Sequence, residues 1–175
     1  MIVLGVDPGT RCTGYGVVAE VAGGRTLVEC GAIRPSAKRP LEQRLAEIFE
    51  GVLAVVDRTR PDVLCVEGVF YGQNVRTMLT LGQARGVVLL AAALRGVGIA
   101  EYPPAEVKNA VAGTGRAAKD QVAFMVQKHL ELAEPPSPSD AADGIALALC
   151  HLFRFRSDGE GRAGTGGGVG RKHRD

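Results

Sequence analysis

The stretch Met1-Ile2-Val3-Leu4-Gly5-Val6-Asp7-Pro8-Gly9-Thr10 decides the reading of the chain. Its apolar, β-branched run is closed by Pro and Gly, so it reads as a buried central strand that delivers Asp7 to its carboxyl end. A carboxylate held there is where a metal or phosphate site would begin. Two later segments present acids in the same manner: Cys65-Val66-Glu67 ends a second apolar strand, and Asp140-Ala141-Ala142-Asp143 opens a late helix. These acids, far apart in sequence, are expected to meet.

Working outward, Thr13 to Ala19 reads as a strand, and Ala22-Gly23-Gly24-Arg25 turns it into a third strand, Thr26 to Ile33, giving an antiparallel meander. Leu41, Leu45, Ile48, Phe49, Val52, Val55 and Val56 recur at helical spacing as far as Arg60. Val63 to Val66 follows as a continuous apolar strand. A helix joining two strands favours a parallel crossover, which sets Glu67 beside Asp7.

After the loop Val69 to Asn74, a helix from Val75 to Arg95 carries Arg76 and Arg85 among apolar residues, and Gly98 to Tyr102 is a short last strand. Helices are expected over Ala105 to Ala112, with Lys108, and over Ala118 to Leu130, with Lys119. The final helix spans Asp140 to Arg154, with a preceding serine available as its cap. The expected fold is α/β: a five-stranded mixed sheet, three strands antiparallel and the others parallel, flanked by helices on both faces. One domain covers residues 1–155. Residues 156–175 collapse to Gly and charge, too little to repay ordering entropy, and are expected to be a disordered tail. Its Arg162, Arg171, Lys172 and Arg174 read as solvated charge.

At 175 residues the chain is long enough to bury a core without disulfides. Its four cysteines, Cys12, Cys30, Cys65 and Cys150, form no C-x-x-C pair and read as structural thiols in a reducing compartment. No signal peptide or membrane span is read, so a soluble cytoplasmic protein is expected. The net charge of +2 does not select a nucleic-acid partner.

Asp140 and Asp143, three apart, share one helix face. Four clustered carboxylates repel and retain protons unless cations bind, and an oxygen-only donor set with no partnering His or Cys selects Mg²⁺, with Mn²⁺ as substitute. Two such ions per site can serve phosphodiester hydrolysis. Any one of these acids alone reads as a turn or cap residue; the four together, at the ends of apolar elements, read as a site. His129 and His151 read as helix-end residues. Gly14-Tyr15-Gly16-Val17-Val18-Ala19 fits a dinucleotide fingerprint formally, but it lies inside a strand and is set aside.

Taken in order, several stretches resemble the RuvC-type Holliday-junction resolvases of the ribonuclease H-like superfamily. They are Gly5-Val6-Asp7-Pro8-Gly9-Thr10 with Gly14-Tyr15-Gly16, Val66-Glu67-Gly68-Val69-Phe70, Leu81-Gly82-Gln83-Ala84-Arg85-Gly86, Val107-Lys108, and Asp140 to Ala148. The resemblance covers about residues 1–153. It implies a ribonuclease H-like fold in which Asp7, Glu67, Asp140 and Asp143 bind divalent ions and carry catalysis. It implies a homodimer that nicks four-way junction DNA symmetrically, in recombination and repair, together with a branch-migration motor complex. Lys108 and Lys119 match positions that resemble DNA-backbone contacts, and Phe70 matches a position suited to stacking on an unpaired base. Tyr71 shares that loop, and Asn74 and Arg76, at the loop-to-helix entry, suit phosphate. Symmetric cutting requires two active sites, hence a C2 dimer, for which the apolar helix from Val75 to Arg95 is the candidate face.

An Asp-x-Gly-Thr turn also opens actin-like ATPases, whose second domain this length does not allow. Two alternatives stay open: a ribonuclease H-like nuclease acting on another structured nucleic acid, and a non-catalytic junction-binding protein.

Overall fold

The computed structural model describes residues 1–68 and 75–163, with the backbone alone for 156–163. Strands β1 (Ile2–Asp7), β2 (Thr13–Val21) and β3 (Gly24–Ile33) form the antiparallel meander. Helix α1 (Leu41–Thr59), β4 (Val63–Glu67), α2 (Val75–Ala93) and β5 (Gly98–Tyr102) follow, then α3 (Pro104–Ala112), α4 (Lys119–His129) and α5 (Ala141–Ala163). The sheet runs β3-β2-β1-β4-β5, with β4 parallel to both β1 and β5. The expected mixed sheet and parallel crossover are therefore present, with β1 at the centre.

The first hairpin is tighter than expected. Its turn is Ala22-Gly23 alone, because Gly23 at φ 96° allows pairing to continue out to Val21 and Gly24. At the other end, α5 runs on to Ala163, into the stretch expected as tail; the remaining tail residues, 164–175, lie outside the described residues. His151 consequently sits inside a helix and not at its end, sharing a 2.7 Å hydrogen bond with the Tyr102 hydroxyl, while burial pushes its pKa down. His129 does close α4, with Nε2 2.8 Å from the Val111 carbonyl.

Strand alternation splits the core in two. Leu4 and Val6 of β1 and Leu64 and Val66 of β4 face α1 and α2, where Ile48, Val52, Val55, Val56, Ala84 and Val88 close the layer. Val3 and Cys65 face the opposite side, against Val107, Val122 and the α5 residues Ile145, Leu149 and Leu152. By the same alternation Asp7 follows Val3 and Gly5, and Glu67 follows Cys65, so both acids turn toward the α5 side. That helix can lie this close only because of glycine: a Cβ on Gly5 would stand 1.9 Å from the Gly144 carbonyl, and one on Gly144 2.6 Å from the Tyr15 Cα.

Candidate metal centre and nucleic-acid interface

Parallel pairing of β1 and β4 ends at Val6 opposite Val66, so Asp7 and Glu67 stand side by side as the last residues of their strands. The turn beyond Asp7 is held from within by buried Thr13, whose hydroxyl donates to the Gly9 carbonyl at 2.9 Å and accepts the Gly9 N–H at 3.2 Å. Asp143 enters from the first turn of α5. Mutual repulsion identifies these three as one cluster. Burial, then Asp143, then Glu67 push the Asp7 carboxyl up to about 7, with Lys119 opposing. Burial, then Asp143, likewise raise Glu67, with Lys108 opposing.

Asp140 stands apart from the other three. It precedes α5 by one residue instead of lying on the helix, and its carboxylate pairs with Arg34 at 2.7 Å. Its influence on Asp7 is the weakest of the four neighbouring charges. The Cys12 thiol also bonds to Asp140, and its pKa is raised by burial and by that acid.

The two expected lysines both reach the cluster. Lys119, the first residue of α4, places Nζ 2.6 Å from Asp143 Oδ2, and the carboxylate raises its pKa further. Lys108 of α3 shares a groove with Glu67, Lys119 and Asp143. Arg76 lies apart from them, exposed in the first turn of α2, where it lines a cleft with Thr10, Thr77 and Thr80. Phe70, Tyr71 and Asn74 lie outside the described residues.

The donor set fits a hard divalent cation: it is all carboxylate, burial and the crowding of Asp143 and Glu67 raise the Asp7 carboxyl to about 7, and it already takes the Lys119 ammonium. As the side chains stand, no three His, Cys, Asp or Glu among the described residues close around one point. Lys119 and Arg34 hold Asp143 and Asp140 in their present positions. Arg34 was not singled out in the sequence, where nothing marks a residue at the end of β3 as a neighbour of Asp140. Arg85 reads in the sequence as a charge within an apolar helix and as part of a resembling stretch, with no role of its own.

The family model for crossover junction endodeoxyribonuclease RuvC matches residues 3–151. The chain belongs to the RuvC family. A crossover junction endodeoxyribonuclease RuvC from Parafrankia sp. (strain EAN1pec) is 53% identical over 167 residues, which is 94% of this chain and 93% of the relative. The Thermus thermophilus RuvC structure matches with a TM-score of 0.81 at 40% identity, covering 90% of this chain and 97% of that one. T. thermophilus RuvC in complex with Holliday junction substrate matches with a TM-score of 0.81 at 37% identity, covering 90% and 96%. The ribonuclease H-like fold expected from the sequence is thus the fold of the RuvC family.

Proposed function

We propose that this RuvC-family chain is a crossover junction endodeoxyribonuclease that resolves four-way DNA junctions by paired nicks. The observation that carries this is the convergence of Asp7, Glu67 and Asp143 at one sheet end, with Asp140 at the margin and Lys108 and Lys119 beside them. A module that only bound a polyanion would gain nothing from such a negative pocket.

Asp7, Glu67, Asp143 and, on release from Arg34, Asp140 would hold the divalent ions, Mg²⁺ being the hard cation this donor set suits. Bound there, two ions supply activated water and stabilise the leaving oxygen of a phosphodiester. The chain's own residues do the rest. Lys119, once freed from Asp143, and Lys108 meet the scissile phosphate and offset its growing charge. Arg76 and the threonines of its cleft take a neighbouring phosphate. Phe70 and Tyr71 serve stacking, and Asn74 a backbone contact.

Symmetric cutting calls for a homodimer. The outer face of α2 supports one: Val75, Leu79 and Leu90, with Leu94 just past the helix, are exposed at helical spacing, and between them a Cβ on Gly82 or Gly86 would meet nothing within 4 Å. The resemblance extends the proposal to association with a branch-migration motor complex, in the cytoplasm. No helix among the described residues is long and apolar enough to cross a membrane.

A substrate panel tests this reading: four-way junction, three-way junction, linear duplex and RNA–DNA hybrid, each with Mg²⁺. Opposed nicks in strands of like polarity, confined to the four-way junction, are expected. Preferential cleavage of the hybrid would move the chain to another ribonuclease H-like activity.

A further inference from the structure

Two arginines with no task so far reach the main chain at the ends of the acid-bearing strands from the face opposite α5. Arg44 on α1 donates from Nε to the Thr10 carbonyl at 3.0 Å, and its Nη2 reaches the same oxygen. Arg85 on α2, with a side chain only 14% exposed, directs Nε at the Glu67 carbonyl from 3.4 Å, a long contact, and sets Nη2 2.6 Å from Glu101 Oε2 on β5. The ion pair is off the hydrogen-bond angle, so that Nη2 has no hydrogen-bond acceptor among the described residues.

Both arginines therefore hold backbone carbonyls at the exits of the two acid-bearing strands. The hold bears on the acids because direct β1–β4 pairing stops just before them. Asp7 pairs outward with Gly14, and Glu67 outward with Tyr102, while the β1–β4 register stops one residue short of the acids. A cavity of about 160 Å³, lined by both acids and Arg85, adjoins them. The cations that act on the carboxylates themselves are Lys119 at Asp7 and Lys108 at Glu67, which leaves the arginines acting through the main chain.

We propose that Arg44 and Arg85 are positioning residues that fix the separation of Asp7 from Glu67 and thereby set the cluster's affinity for divalent ions. The proposal rests on the metal-binding reading of the cluster. Its test is Mn²⁺ binding to the full chain without DNA, followed by electron paramagnetic resonance of the free ion. The proteins compared are wild type, Arg44→Met, Arg85→Met and Val52→Ala; the last opens the α1 core and lowers Tm without touching either clamp.

Both Met variants are expected to bind Mn²⁺ about tenfold more weakly, as for groups that orient metal ligands, with Val52→Ala binding as wild type does. Unchanged affinity in either Met variant overturns that arginine's role. Equal weakening in Val52→Ala assigns the effect to lost stability and overturns both roles. A wild-type protein that binds no Mn²⁺ overturns the metal reading and the clamp with it, whereas a wild type that binds no better than the Met variants overturns the clamp alone.

Discussion

Asp7 carries the largest electrostatic strain among the acids. Its carboxyl is raised from 3.8 to about 7, first by burial and then by Asp143 and Glu67. A raised folded-state pKa means that the associated stability is present below the unfolded value and is lost as pH rises through about 7. Metal-free protein should therefore lose stability between pH 5 and pH 8, and Mg²⁺ should restore it. Asp7→Asn removes the buried charge, so it should stabilise the metal-free protein at pH 8 by about 1–2 kcal/mol, discounted for partial exposure. Urea denaturation at the two pH values, with and without Mg²⁺, checks both statements; a wild-type stability flat across that range contradicts them. Lys119 makes a related prediction: Lys119→Met should slow cleavage by about 100-fold while junction binding changes little. Single-turnover rates and a binding titration separate the two.

Among the elements, α5 against β1 is the contact that brings Asp143 to Asp7. Gly144→Ala would force its Cβ to 2.6 Å from the Tyr15 Cα. The helix must move, with a stability loss of about 2–3 kcal/mol expected from overpacking and cleavage falling as Asp143 is displaced. Denaturation midpoints and cleavage rates report the two effects. The neighbouring of Glu67 and Asp7 was legible in the sequence, because a helix between two apolar strands already implied a parallel crossover. Asp140 was less so: it lies just outside the helix, and its partner Arg34 is brought near only by tertiary packing. The clamps of Arg44 and Arg85 were illegible for the same reason, since they depend on long side chains reaching another element's main chain. His151 appeared to close a helix because the composition loses apolar residues near Arg156, yet α5 continues to Ala163.

At the scale of the whole molecule, one chain presents one such acid cluster among the described residues, so paired cutting depends on association. Leu79→Glu with Leu90→Glu places charge on the exposed α2 face, away from the buried Ala84 and Val88. The double variant should sediment as a folded monomer where wild type sediments as a dimer, and paired nicking should give way to isolated, slower nicks. A variant that stays dimeric moves the interface elsewhere. Metal-dependent junction cleavage by the acid cluster is measured with strand-labelled four-way junction incubated with wild type and Asp7→Asn, with and without Mg²⁺. Paired symmetric nicks are expected only for wild type with Mg²⁺, with undiminished junction binding by Asp7→Asn. Equal cleavage by the variant, or binding by both proteins with no cleavage under Mg²⁺ or Mn²⁺ across several junction sequences, would contradict metal-dependent cleavage by the acid cluster.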